Sequence, residues 1–245
     1  MARITSLTVV DSFFCEDDQW QHGTRQRTVL NDEQLSVLID ATPYTTVDRV
    51  RGHDVELIHG MLRQQGVIVS AQQVSQACYC AGSVAGVNPY NRMDIDIILA
   101  EDSPEPVQTS TCRCTPEQIQ SAFRRLLKQA GLRRRTAATH AAGIFGSDGA
   151  EVVVRECLTA HQAGWKVLGS AMISEDTGNA VIFATTGLID ATVVEIARLC
   201  GCSTVVSSAP AVTSAIANAH RAGITLIGAL GDATFKLYAG AVDCN

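Results

Sequence analysis

No run of about 18 apolar residues occurs in this chain, so a membrane-spanning helix is not expected. The opening stretch, Met1–Val10, is a short apolar run that meets Asp11. It lacks the small-residue cleavage site of a secretory leader. A cytoplasmic protein with no membrane partner is therefore expected. There is no phosphate loop of the G-x-x-x-x-G-K-[ST] type, and no G-x-G-x-x-G follows a strand pattern. Surplus positive charge is missing too. The formal net charge is −6, and nothing in the totals points to nucleic acid. What is present is length and apolar content: 245 residues, 46% of them hydrophobic, which suits one large or two small globular domains.

Nine cysteines are an odd number, and in a reducing cytosol they should be thiols. Six of them form three C-x-C pairs: Cys78/Cys80, Cys112/Cys114 and Cys200/Cys202. Structural zinc sites use longer spacings, because the chain must wrap the metal, so C-x-C is a weak zinc signal. Cys200-Gly201-Cys202 reads as a helix stop with two small buried thiols. Cys78 and Cys80 flank Tyr79 before a Gly-rich segment and read as small packing residues.

Cys112-Arg113-Cys114 stands apart. It follows a polar, proline-bearing stretch, Glu101–Thr111, that reads as a surface loop. A helix is predicted immediately after it. Thr115 can cap that helix, Pro116 suits its first position, and Gln118 completes a capping box. The helix N-terminus and Arg113 both favour thiolate over thiol, which predicts reactive sulfur. The plainer reading is an incidental pair of small loop residues.

The rest of the pattern predicts two parts: residues 1–110 as a smaller α+β domain, and 111–245 as an α/β domain with the cysteine loop at its start. In the first, Leu35–Ile39 is a predicted strand. Asp54 caps a helix whose apolar face is Val55, Leu57, Ile58, Met61 and Leu62, and Gly66 ends it. Val67–Val69 and the alternating Met93–Leu99 are predicted to be extended. In the second, one helix spans Pro116–Arg135, and its basic end (Arg124, Arg125, Lys128, Arg133, Arg134, Arg135) either complements the helix dipole or docks an anion or partner. His140–Phe145 and Ala150–Arg155 flank a hairpin turn, Ser147–Gly149. Helices near 158–171, 191–199 and 212–222 then alternate with strands near 180–184, 204–207, 224–228 and 234–238. That alternation predicts a largely parallel sheet covered by helices. Ligands of such sheets bind at the carboxyl ends of the strands, which selects Thr185–Gly187 and Ser207–Pro210.

Several segments, in order, resemble the FdhD family of formate dehydrogenase accessory sulfurtransferases. Glu33–Ile39, Thr45–Asp48 and Asp54–Ile68 look like the family's opening strand and following helix. Thr136–Ala142 is similar to its TGG-x-HAA segment, and Val154–Gly169 to its EDVGRHNAVDK-x-x-G stretch. Thr185–Gly187, Ser208–Pro210 and Gly223–Tyr238 continue the match. The resemblance implies a carrier that takes persulfide sulfur from a cysteine desulfurase onto a loop cysteine. It would pass that sulfur to the molybdenum or tungsten bis-pterin guanine dinucleotide cofactor of formate dehydrogenase. It also implies a homodimer and a C-terminal three-layer α/β/α domain with a cytidine deaminase-like fold. Cys112 and Cys114 become the candidate sulfur-handling residues. His140, Glu156, His161, Lys166 and Gly187 become the candidate cofactor contacts.

The departures are as specific as the matches. The family's C-G-x-C is Cys112-Arg113-Cys114 here. Cys157, Thr159-Ala160, Gln162, Trp165, Leu188 and Gly231 stand where the family has other residues, three of them arginines. Arginine is the natural bidentate partner of phosphate, so dinucleotide binding in the family's manner loses support. Each surviving position keeps two readings. His140 is a satisfied structural histidine or a donor to pterin or phosphate. Glu156 holds a helix N-terminus or binds ligand. Lys166 contacts phosphate or is a solvated helix lysine; His161 lies five residues from it, off any tight helical stripe. Trp165 stacks on a heterocycle or merely packs. Three functions follow: sulfur carrier, non-catalytic binding paralogue, and zinc deaminase. The last needs H-x-E with P-C-x-x-C, and neither occurs.

Overall fold

The computed structural model describes residues 3–80, 88–98, 112–174 and 180–244. The expected loop Glu101–Thr111, the Gly-rich segment after Cys80 and the expected domain boundary at 110 lie outside the described residues.

The chain opens with a feature the sequence reading passed over. Strands β1 (Thr5–Glu16) and β2 (Gln19–Leu30) pair antiparallel over twelve residues. Asp17 and Asp18 turn the hairpin, both with left-handed φ (48° and 58°). Such a two-residue turn matches the strand twist, and aspartate tolerates it better than most residues. Both faces of the ribbon are largely exposed, with Leu7, Phe13 and Trp20 open to solvent. With neither face buried, no alternation marks it.

A four-stranded sheet follows, in the order β4-β3-β6-β5: β3 (Glu33–Ile39), β4 (Thr42–Arg49), β5 (Val74–Tyr79) and β6 (Arg92–Ile97). Helix α1 (Asp54–Gln64) covers it, packing Leu57, Ile58, Met61 and Leu62 on Leu35, Val37, Met93 and Ile95. Val55, expected on that face, is exposed. The helix cap is His53, not Asp54. Asp54 is buried instead, 2.9 Å from Arg49 Nε and accepting from Tyr79 Oη at 2.8 Å. Val67–Val69 forms no strand; β5 begins at Val74.

The second unit is a six-stranded sheet in the order β12-β11-β10-β9-β7-β8. Its strands are β7 (His140–Gly146), β8 (Glu151–Cys157), β9 (Ala180–Thr185), β10 (Thr204–Ser207), β11 (Thr225–Gly228) and β12 (Lys236–Ala239). Only the pairs β9–β10 and β10–β11 are parallel. The pairs β7–β8, β7–β9 and β11–β12 are antiparallel, so the sheet is mixed rather than largely parallel. At one edge the tight turn at Ser147–Gly149 reverses the chain, as the hairpin pattern predicts, and at the other β12 turns back on β11.

Helices cover both faces. On one, α2 (Pro116–Gln129) packs Ile119, Phe123 and Leu126 against Phe145, Ile182, Val206 and Ile227. On the other lie α4 (Ala160–Ser174), α5 (Ala191–Leu199) and α6 (Thr213–Ala222), against Ile144, Phe183, Val205 and Leu226. The alternation Val205/Val206 and Leu226/Ile227 serves the two faces in turn. The expected single helix Pro116–Arg135 is two. Ala130 leaves helical geometry (ψ 70°), and α3 (Gly131–Thr136) restarts at an angle. Arg134 turns back onto the Leu127 and Lys128 carbonyls, the dipole-complementing role expected of the basic end.

The two units meet where α1 crosses α4. A Cβ on Gly60 would collide with the Trp165 carbonyl, and one on Gly169 with the Glu56 carbonyl, so the glycines set the closeness of the crossing. Arg155 reaches across to Glu56 at 2.5 and 2.8 Å.

Candidate functional site

Strand β10 is only four residues long, about 10 Å from Thr204 to Ser207 at strand rise. The candidate residues gather at its two opposite ends and not in one pocket.

At the Thr204 end, Ser203 Oγ donates to the Cys112 carbonyl at 2.9 Å. The Thr204 hydroxyl lies 3.8 Å from Cys114 Sγ. The Asp243 N–H donates to the Cys114 carbonyl at 3.1 Å. The C-x-C segment is thus held on Ser203 and Thr204, at the start of β10, and on the C-terminal segment. The capping box of α2 forms as the sequence predicts, Thr115 N–H to Gln118 Oε1 at 2.8 Å and Gln118 N–H to Thr115 Oγ1 at 3.4 Å. The two thiols then part company. Cys112 is exposed, while Cys114 is 2% exposed and packs with Ile119, Val206 and Val242. Burial pushes the Cys114 thiol above its ordinary pKa, outweighing the Thr204 hydroxyl. The expectation that both are activated thiolates is corrected for Cys114: an apolar shell disfavours its charge. Cys200 and Cys202 are fully buried, as predicted, and burial pushes Cys200 up to about 12 and Cys202 well up. Cys78, read as packing, is exposed.

At the Ser207 end, His140, Gly187 and His161 come together. His140 Nδ1 lies 3.4 Å from the Thr186 hydroxyl. Burial and then Arg133 push its imidazole below the usual value, against a backbone hydrogen bond with Thr186. A Cβ on Gly187 would overlap Ala160 Cβ and sit 3.2 Å from His140 Nδ1, so only glycine lets the α4 N-terminus approach His140. Ser207 Oγ donates to the Gly187 carbonyl at 2.6 Å and fixes the turn. His161 Nε2 lies 2.7 Å from Asp190 Oδ2, and the other oxygen of Asp190 accepts from Val193 N–H to cap α5. Trp165 packs beside His161, ring centroids 6.3 Å apart.

The remaining two candidates are structural in place. Glu156 accepts from the Leu132 and Arg133 N–H groups (2.9 and 2.7 Å) and from the Thr139 hydroxyl (3.0 Å), so its carboxylate holds the start of α3. Lys166 is not a solvated helix lysine. It is 1% exposed, with Nζ donating to the Val50 carbonyl at 3.0 Å and to the Glu156 carbonyl at 3.3 Å. Burial pushes its pKa down, against the pull of Cys157 and Asp54. Both line a cavity of about 290 Å³ with Arg51, His53 and Arg155.

Two departures from the family pattern acquire a local reason. Thr159 Oγ1 accepts from Gln162 N–H, and Gln162 Oε1 from Thr159 N–H, both at 3.2 Å. They cap α4 from within the chain, using N–H groups that an anion would otherwise take. Sequence reading missed Asp190, Ser203 and Cys244. Asp190 carried a signal, an aspartate before a helical run; Ser203 matters through a contact distant in sequence, and Cys244 through its neighbour Asp243, bonded to the Cys114 carbonyl.

Comparison with known proteins agrees with this architecture. The sulfur carrier protein FdhD of Corynebacterium efficiens is 28% identical over 278 aligned positions, covering 98% of this chain and 99% of that protein. That of Nocardia farcinica is 28% identical over 249 positions, covering 89% and 88%. The crystal structure of a proposed formate dehydrogenase accessory protein from Desulfotalea psychrophila superposes with a TM-score of 0.75 at 19% identity, covering 94% of this chain and 96% of that one, which shows a shared fold. The FdhD/NarQ family pattern matches residues 91–244, a span that holds both ends of β10, and this chain belongs to that family.

Proposed function

We propose that this protein is a sulfur carrier for formate dehydrogenase maturation, with Cys112 as the carrying thiol. The observation that supports it is the split at the Thr204 end: one exposed thiol beside a capped helix start, and one buried beneath it. In the proposed step, the Cys112 thiolate attacks the outer sulfur of a persulfide on a cysteine desulfurase. The desulfurase S–S bond breaks, its cysteine leaves as thiolate, and Cys112 becomes the persulfide. The sulfur then passes to the molybdenum or tungsten bis-pterin guanine dinucleotide cofactor, which is cargo here. His140, His161 and Gly187 are the residues we assign to contact it; Glu156 supports that end by holding α3, and Lys166 by tying α4 to the Val50 and Glu156 carbonyls. A cytidine deaminase-like arrangement of the six-stranded domain, a homodimer and a cytoplasmic place belong to the same reading.

The second reading, a binding paralogue without sulfur transfer, is favoured by the capped α4 N-terminus and the missing arginines. A host lacking its own carrier separates them. Wild-type chain restores formate dehydrogenase activity under the first reading, and Cys112→Ala does not. Equal restoration by a variant carrying both Cys112→Ala and Cys114→Ala would establish the second.

A further inference from the structure

One route by which a carrier persulfide gives up its sulfur is attack by a second thiol, and the sequence offers Cys114 for that task. The structure ties a segment bearing a different cysteine to the C-x-C segment. The C-terminal segment runs along the Thr204 end of the sheet: the Ala241 carbonyl accepts from Thr225 Oγ1 at 3.2 Å, and Val242 packs in the apolar cluster that contains Cys114. Asp243 is then fixed to the Cys114 carbonyl. Cys244 follows, exposed, with Sγ 3.9 Å from the Val242 carbonyl. Cys112 lies two residues before that same hydrogen-bonded point and is also exposed. Cys114, between them, is sealed under α2 and β10.

Resting on the carrier reading above, we infer that Cys244, and not Cys114, is the resolving thiol of this site. The Cys244 thiolate attacks Sγ of the Cys112 persulfide. The bond between Sγ and the terminal sulfur breaks, and the terminal sulfur leaves as hydrosulfide, or as the thiolate of an acceptor already bonded to it. A Cys112–Cys244 disulfide forms. The sulfane sulfur is reduced by two electrons and the two cysteines are oxidised by two, so no further oxidant enters. A dithiol reductant resets the pair. An exposed thiol suits this attack, because the thiolate is the nucleophile and water stabilises it, whereas the apolar shell of Cys114 opposes both charge and approach.

The test loads the full chain two ways, with a cysteine desulfurase plus L-cysteine and with inorganic polysulfide, then alkylates and maps peptides without reduction. The expected product is a Cys112–Cys244 disulfide with one hydrosulfide released for each. Cys244→Ser, an exposed change, should prolong the Cys112 persulfide at least about tenfold, and Cys114→Ser should leave its lifetime within about twofold. A Cys112–Cys114 disulfide, no disulfide at all, an unchanged lifetime in Cys244→Ser, or a Cys112 that polysulfide does not load would each overturn the inference. The disulfide forming after polysulfide but no sulfur arriving from the desulfurase would support the resolving role while sinking the carrier reading.

Discussion

The two ends of strand β10 are three peptide units apart and are built on opposite principles. At the Thr204 end the polar groups are hydroxyls and main-chain carbonyls, and the reactive atoms are sulfurs graded by burial, from exposed Cys112 and Cys244 to enclosed Cys114 and Cys202. At the Ser207 end the groups are imidazoles, a carboxylate and a tight glycine turn, each pinned by a partner. One end controls whether a thiol can ionise and be reached. The other controls shape. The lesson is that residues matched to one family function need not share a pocket. The sheet separates the chemistry of sulfur from the groups we assign to its recipient.

Changes confined to one end should therefore leave the other working. Gly187→Ala is the largest expected structural effect, because its Cβ overlaps that of Ala160. The turn or α4 must move, at a cost of about 1–3 kcal/mol in chemical denaturation. Sulfur loading of Cys112 should be unchanged in folded protein; a loading defect would show that the ends are coupled. Asp190→Ala removes the α5 cap and the partner of His161 together. A loss of about 1 kcal/mol is expected, with loading again intact. The smallest effect concerns the seam between the two units, away from both ends. Burial raises the Glu56 carboxyl, but hydrogen bonds from Arg155 and His53 outweigh it and lower the pKa to about 2. A lowered folded-state pKa stabilises the protein above the unfolded value near 4.5, and that stabilisation is lost as pH falls towards 2. Thermal melts between pH 6 and pH 3, as an order-of-magnitude window about those two values, should show Glu56→Gln losing less Tm than wild type. Parallel curves would remove Glu56 from the account.

Local signals were legible in the sequence and distant contacts were not. The α2 capping box is written in Thr115, Pro116 and Gln118, and it forms as read. Strands β7 to β11 are short apolar runs bounded by turn and cap residues, which is why their positions were found. The hairpin at Ser147–Gly149 was read as well; what was missed is that β7 lies between β8 and β9 and that β12 turns back on β11, which makes the sheet mixed. The β1–β2 ribbon escaped because it buries neither face, and burial is what imposes alternation. Cys114 looked like Cys112 because its burial comes from Val206 and Val242, far along the chain. Lys166 looked like a surface lysine because its acceptor, the Val50 carbonyl, is 116 residues away.

The most direct test of the central claim is intact-mass and peptide analysis of single variants after incubation with a cysteine desulfurase and L-cysteine. The account predicts a gain of about 32 Da, one sulfur, on the Cys112 peptide in wild type and in Cys114→Ala, and none in Cys112→Ala. Sulfur on Cys114, or loading that survives Cys112→Ala, would contradict it.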